Sequence, residues 1–491
     1  MPSLGGFASR GIAWGLLQSL SSRVGQFAGQ LVTASLLSPR EFGLIALAYT
    51  VATISMALAS PGLDQVLVQR QRTLHVWVAP ALALTLVFGL LGALILLIAA
   101  PIAAAAYKEP AVAGLVSVLA VALPINSVSI VPTVLLRSAF KFKALAVIAS
   151  VETLGTQVLT IGLILAGFGV YSFVLPIPLL GLIRTIIMWR CARPKLSRNW
   201  QPKRWKYLIG KSISVSGERL ISSAISQGDY TILGLMASSA VVGNYFFAFK
   251  LASQPLSILA GNLTNVLLPT LSALRGNLRA QGAAALKAAK LLGLIIMPLA
   301  FLQAALARPA LHLLFGLKWQ AAVPLIQILS VSLAFDSIAW VAGALLLARG
   351  GFRATLLYMT LISPFFFAFV AIGGWIGSAI GVACGVGLYY LGLSPVYAYC
   401  VFRQHGITPS RLACLYLGPA ALAAFAIGGT LIILSMMPVS SDLGRICLII
   451  SLDTAAYLCL LRWLEPTSYQ ELLTNMIDII RDRGWLRSAP I

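Results

Sequence analysis

Charge is what this chain has least of. Only 10% of its 491 residues are Asp, Glu, Lys or Arg, where a soluble domain carries roughly 25%. So few ionised side chains cannot cover a water-exposed surface, and a soluble globular protein is excluded. Acidic residues are scarcer still, 13 against 35 Lys and Arg, for a formal net charge of +22. The three histidines, His75, His312 and His405, are too scattered for a metal site. The six cysteines (Cys191, Cys384, Cys400, Cys414, Cys447 and Cys459) show no paired spacing and mostly sit in apolar runs. They read as small packing residues rather than disulfide partners or ligands. Also missing are a phosphate-binding Walker loop, a metal-ligand cluster and a nucleophile-elbow serine. Cofactors and direct ATP coupling are therefore not expected. No cleavable signal is evident, since Arg10 is followed by a span too long for an h-region.

What fills the chain instead is apolar: 59% of residues are hydrophobic and the mean hydropathy is +0.93. A spanning helix needs roughly 20 apolar residues. Long unbroken runs such as 82–106 exclude the short alternating strands of a β-barrel. The runs predict an all-α polytopic membrane protein of about fourteen transmembrane helices, the first near 11–36 and the last near 443–461. With a pI near 10.2, the cations read as topology signals and anionic-lipid contacts rather than as a nucleic-acid surface.

The loops alternate in charge. One set carries Arg70 and Arg72, then Arg137, Lys141 and Lys143, then the run Arg190 to Lys211, and continues through Arg275, Arg279, Lys287, Lys290, Arg349, Arg353, Arg403 and Arg411. The other offers Arg40, Lys108, Arg308, Lys318 and Arg445. By the positive-inside rule the first set and both termini are expected in the cytoplasm.

The expected division is an N-terminal six-helix bundle over 1–190, a basic cytoplasmic linker over 191–207, a second six-helix bundle over 208–402, helices 13 and 14 over 403–463, and a cytoplasmic amphipathic tail over 464–491. The tail's apolar residues at helical spacing suit either the membrane surface or packing against protein. Residues 30–48 and 230–248 are similar at an offset of 200 without a gap, each ending a helix, turning through small residues and placing a glycine (Gly43, Gly243). A repeat of six helices gives both halves the same orientation, so its axis lies along the membrane normal.

A charge near the bilayer centre costs about 2.5–3.5 kcal/mol on insertion scales, so it needs a partner or a wet cavity. The first span carries Ser19, Arg23, Gln26, Gln30 and Thr33 on one stripe. That stripe favours a cavity over interhelical polar packing. Arg219 in the seventh span and Lys250 in the eighth are the other deep cations. Glu152, Glu218, Asp229 and Asp336 are candidate ion-coupling carboxylates, each with the alternative of a structural hydrogen bond. Asp64 and Asp453 belong to the same group. Arg184, towards the cytoplasmic end of its span, reads as snorkelling. Trp375, Tyr389 and Tyr390 could stack on a bound ligand or belong to interfacial belts.

The polar first helix, then Leu37-Ser38-Pro39-Arg40-Glu41-Phe42-Gly43-Leu44, then a second helix followed by Pro61-Gly62-Leu63-Asp64, resembles the polysaccharide transporter (oligosaccharide flippase) family. This family lies within the multidrug/oligosaccharidyl-lipid/polysaccharide superfamily. The chain looks most like exporters of the colanic acid, amylovoran and succinoglycan type. The resemblance implies a V-shaped pair of bundles working by alternating access. Its substrate would be an undecaprenyl-diphosphate-linked oligosaccharide, moved from the cytoplasmic to the periplasmic leaflet of a bacterial inner membrane. The implied partners are that substrate, membrane lipids, and a polysaccharide polymerase and co-polymerase, with no nucleic acid. Coupling would come from protons, sodium or the membrane potential. A cation-coupled multidrug antiporter and a lipid II flippase remain alternatives. The absence of an acidic residue from the first helix speaks against the antiporter. A membrane-embedded polymerase would need a large periplasmic loop that this chain lacks.

Overall fold

The computed structural model describes residues 25–59, 62–69, 74–139, 141–194, 203–437, 439, 441–471 and 473–474. All regular structure among them is helical. The helices are α1 (25–36), α2 (Pro39–Ala59), α3 (Leu63–Gln69), α4 (Leu74–Tyr107), α5 (Ala111–Val128), α6 (Ile130–Ser138), α7 (Phe142–Leu165), α8 (Tyr171–Val174), α9 (Pro176–Ala192), α10 (Lys203–Met236), α11 (Ser239–Ala252), α12 (Gln254–Ala273), α13 (Leu278–Phe315), α14 (Val323–Ala334), α15 (Asp336–Ala348), α16 (Phe352–Leu388), α17 (Ser394–Phe402), α18 (Pro409–Met436) and α19 (Asp442–Leu464). Among the described residues, nine segments are long and apolar enough to cross a membrane. One of them, 353–405, folds back on itself: α16 is broken at Gly377 and Ser378, and Ser378 takes a left-handed φ of 51°. α10, which carries Arg219 and Asp229, is not among the nine. Large apolar side chains such as Ile102, Val158 and Phe425 lie 64%, 71% and 74% exposed. A water-soluble surface does not carry such a density of them. The chain is a multi-pass membrane protein.

The described residues form two compact units. Those up to Phe247, together with Met359–Val382, make one; Ala248–Tyr358 with those from Ala383 onward make the other. In lipid no hydrophobic force drives helix against helix, so packing depends on small residues that let backbones approach. In the first unit α2 starts with a capping box. The Ser38 backbone N–H donates to the Glu41 carboxylate at 2.7 Å and the Glu41 N–H returns to Ser38 Oγ at 3.4 Å, with Pro39 in the first turn. One turn on, Gly43 packs against the start of α11, and a methyl on it would overlap the Ser239 carbonyl oxygen. The relation is reciprocal: a methyl on Gly243 would overlap the Pro39 carbonyl oxygen. Glu109 closes this crossing, 3.2 Å from Arg40 and 2.7 Å from Ser239 Oγ. The halves of the broken α16 pack the same way, Gly373 against the backbone of Gly381. Away from the glycines, Leu63, Leu67, Leu84, Val134 and Leu208 draw α3, α4, α6 and α10 into one apolar cluster.

In the second unit Asn277 caps α13, accepting from the Ala280 N–H at 3.0 Å. Tyr457 of α19 donates to the Leu294 carbonyl of α13 at 2.7 Å. Past α19 the chain is clasped to α13 by Lys290–Glu465 at 2.7 Å and Lys287–Glu471 at 3.3 Å. Burial alone would raise the Glu465 carboxyl, but hydrogen bonds from Lys290 and Ser468 carry it below its ordinary value. A depressed carboxyl stabilises the fold above its unfolded value, and that contribution fades as pH falls through the lowered one. Helix resumes over 466–471, and most of the 464–491 tail lies outside the described residues.

Candidate functional site

The polar features of the first unit converge where helices are interrupted. The fourth span bends at Ser129, between α5 and α6. Pro132 has no N–H to give the carbonyl four residues back, which frees the Val128 oxygen. The Trp189 indole N–H of α9 donates to it at 3.2 Å, and Thr185 Oγ1, which donates to the Gly181 carbonyl of its own helix at 2.7 Å, also lies 3.3 Å from the Ile125 carbonyl. These bonds fix α9 against the bend and aim Arg184 into it. One terminal nitrogen of Arg184 donates to Asn126 Oδ1 at 2.7 Å and Ser129 Oγ at 3.1 Å; the other lies 3.2 Å from both carboxylate oxygens of Glu152. Its Nε is buried with no acceptor among the described residues. Arg184, Asn126, Glu152 and Thr156 line a cavity of about 360 Å³. Arg184 therefore does not snorkel. Three acceptors inside the bundle hold it better than a distant interface would.

The second unit repeats the device. The tenth span is interrupted at Phe335, between α14 and α15. Beside the break Asp336 accepts from Ser394 Oγ of α17 at 2.7 Å and from the Trp340 indole at 2.8 Å. In each unit a polar group at a break in one span is tied to the span two further along the chain. Sequence reasoning singled out Glu152 and Asp336 but missed Asn126, Ser129, Ser394 and the structural use of Arg184. The signal was there in Pro124 and Pro132, which mark the fourth span as discontinuous.

Of the first-span stripe, Arg23 lies outside the described residues. Gln26 is exposed. Gln30 is half-buried, and its Nε2 is buried with no acceptor among the described residues. α1 packs on α7 at Gly29, where a methyl would overlap the Gln157 amide.

Asp229 of α10 is 2% exposed and accepts from Tyr245 Oη at 2.8 Å and from the Tyr230 N–H at 2.9 Å. The α10–α11 hairpin, in the stretch similar to 30–48, brings Tyr245 over it. The Glu218 side chain lies outside the described residues. Asp453 is buried in α19. Lys250 is exposed in the last turn of α11, just before the chain breaks at Ser253 and restarts as α12. Carbonyls at a helix C-terminus favour a cation, and discontinuous helices of this kind build midplane sites in transporters. Trp375 stands 79% exposed beside the α16 break, and the Tyr389 and Tyr390 rings meet edge to face at 5.1 Å. Among the described residues no three His, Cys, Asp or Glu side chains are placed to hold a metal.

Arg219 pairs with Asp64 of α3, at 3.1 Å and 3.3 Å from its two oxygens, rather than with Asp229. Both side chains are about a third exposed. Arg219→Glu and Asp64→Arg alone are each expected to cut transport several-fold, and the exchanged pair to recover most of it, as coupled neighbours do. An exchanged pair no better than the worse single variant would show that Arg219 acts on something other than Asp64.

The chain is similar to several known proteins. The family described as "polysaccharide biosynthesis protein" matches over residues 32–324. The succinoglycan biosynthesis transport protein ExoT of Rhizobium meliloti (strain 1021) is 27% identical over 335 residues, covering 66% of this chain and 66% of that protein, just under two thirds of its length. An uncharacterized membrane protein in the cps region of Klebsiella pneumoniae is 22% identical over 404 residues, 79% of this chain and 82% of that one. The lipopolysaccharide biosynthesis protein WzxC of Escherichia coli (strain K12) is 25% identical over 207 residues, covering 40% and 42%. Among solved structures, the lipid II flippase MurJ in an inward closed conformation superposes with a TM-score of 0.75 at 12% identity, over 93% of this chain and 99% of that one. An inward-facing multidrug transporter of the MATE family gives 0.55 at 16% identity, over 82% and 94%. At these identities the likeness shows the fold.

Proposed function

Because the chain belongs to the polysaccharide biosynthesis protein family, we propose that it is a secondary flippase for a lipid-linked oligosaccharide used in exopolysaccharide synthesis. It takes an undecaprenyl-diphosphate-linked repeat unit from the cytoplasmic to the periplasmic leaflet of the inner membrane, with both termini in the cytoplasm. The observation that carries this reading is the relatives' chemistry. The curated proteins most like the chain include a succinoglycan transport protein and a lipopolysaccharide biosynthesis protein. The fold alone superposes better on a lipid II flippase than on a drug transporter, with TM-scores of 0.75 and 0.55, and at such low identity does not choose a substrate.

Arg23, Lys250 and Arg219 attract the diphosphate and acidic sugars, with Gln26 and Gln30 as polar lining. Arg219 is held by Asp64 until the substrate anion replaces that carboxylate. Arginine suits the exchange because its fork matches carboxylate and phosphate alike. Asp229, Asp336, Glu152 and Glu218 are the carboxylates through which a proton or sodium ion drives the cycle. Several kcal/mol of attraction is needed to offset the desolvation of a diphosphate in a low-dielectric path. A polymerase and co-polymerase receive the product.

Deleting the gene in its own host is expected to abolish surface polymer and strand lipid-linked repeat units on the cytoplasmic leaflet, scored by leaflet-selective labelling. Unchanged polymer with altered drug resistance would assign the antiporter. Accumulated peptidoglycan precursor with intact exopolysaccharide would assign lipid II.

A further inference from the structure

A second polar cavity lies in the second unit, away from every residue assigned above. It occupies about 610 Å³ among the end of α13, the start of α14 and the α18–α19 hairpin, on the face that the charge pattern assigns to the periplasm. Arg308, His312, Gln320, Gln327, Asp442 and Arg445 line it. The charges are not self-cancelling. The one carboxylate, Asp442, is hydrogen-bonded to His312 Nδ1. Arg445 is anchored by its Nε, which donates to the Val439 carbonyl at 2.9 Å. Its two terminal nitrogens, like the whole Arg308 guanidinium, have no acceptor among the described residues. Two forks of unspent N–H donors therefore line one cavity together with two glutamine amides.

Leu431 and Leu434 of α18 and Ile449 of α19 line the cavity as well, and the same helix ends carry Leu314, Ile432, Met436 and Leu443 at 54%, 62%, 80% and 60% exposure. A polar cup with paired guanidinium groups, opening beside side chains suited to acyl chains, has the chemistry of a phosphate carried on a lipid. Arginine at a membrane interface binds phosphate bidentately, and basic pockets between transmembrane helices hold anionic head groups.

We propose that this cavity is a binding site for the phosphate head group of an anionic lipid, separate from the transport path. The site stands on its own lining and does not depend on what the protein transports.

The test uses the full-length protein purified in detergent and native mass spectrometry with added phosphatidylglycerol or phosphatidylcholine. The wild-type protein is expected to retain phosphatidylglycerol about tenfold better than phosphatidylcholine, the worth of one or two charge-assisted contacts. Arg308→Gln with Arg445→Gln is expected to lose that preference, while Arg308→Lys with Arg445→Lys keeps part of it and shows that the fold tolerates change there. Equal retention of both lipids by the wild type, or an undiminished preference in the double glutamine variant, overturns the site. Inorganic phosphate at millimolar concentration is expected to leave the lipid bound. Its displacement of the lipid would identify a free-phosphate site and overturn the lipid assignment.

Discussion

Arg184→Ala is expected to destabilise the purified protein by about 1–3 kcal/mol, the cost of leaving half-buried polar and charged groups without their donor. Three acceptors lose their donor at once: Glu152, Asn126 and Ser129. The carboxylate is the expensive one, since it sits within the bundle beside a cavity of about 360 Å³ with no other cation among the described residues of its wall. Removing both charges, Arg184→Ala with Glu152→Ala, is expected to be less harmful than Arg184→Ala alone, because no uncompensated charge remains. Thermal unfolding in detergent measures both, and strict additivity of the single effects would show that the pair is not coupled. Glu152→Gln separates structure from coupling. The amide keeps an acceptor for Arg184, so the protein is expected to fold. If Glu152 carries the coupling ion, its transport is expected to stop while its melting temperature stays near that of the wild type.

Alanine at Gly43 or Gly243 is expected to abolish transport, although it adds a single methyl. At each position that methyl would overlap a backbone carbonyl oxygen, of Ser239 or Pro39, which cannot rotate away as a side chain could. Overpacking of this kind costs about 1–3 kcal/mol where a core can adjust, and a crossing made of two backbones adjusts least. Gly162 is the control, since a methyl there meets nothing within 4 Å, and Gly162→Ala is expected to behave as wild type. Transport at matched expression decides the matter, and full activity in Gly43→Ala would show that the crossing opens freely.

The helical class and the membrane were legible because they follow from bulk composition. The crossing of α2 and α11 was half legible: the offset of 200 matched Gly43 with Gly243, but nothing in two similar strings says that they touch. Pairing was read least well. Glu152 was picked out for its depth, yet its partner lies 32 residues away on α9. Arg219 has Asp229 on its own helix, yet its partner Asp64 is 155 residues distant. Helical periodicity reports which residues share a face, and these partners lie on different helices. The break at Ser129 is legible as prolines inside an apolar run, whereas the one at Phe335 has no proline beside it and leaves no such mark.

The Gly43–Gly243 crossing also bears on ancestry. Residue 43 meets residue 39 plus 200, and residue 243 meets residue 39. This is the pattern of an isologous contact, in which i touches j and j touches i across a two-fold axis. A half-length ancestor pairing with its own copy in the bilayer would have made this contact from one gene, so that every substitution there struck both sides together. In one polypeptide that constraint is absent, and the two starts differ. The first keeps its reciprocal cap through Ser38 and Glu41. The second has Val241 in place of the glutamate, and its opening turn is held by the Ser238 carbonyl, which accepts from the Val241 and Val242 N–H groups.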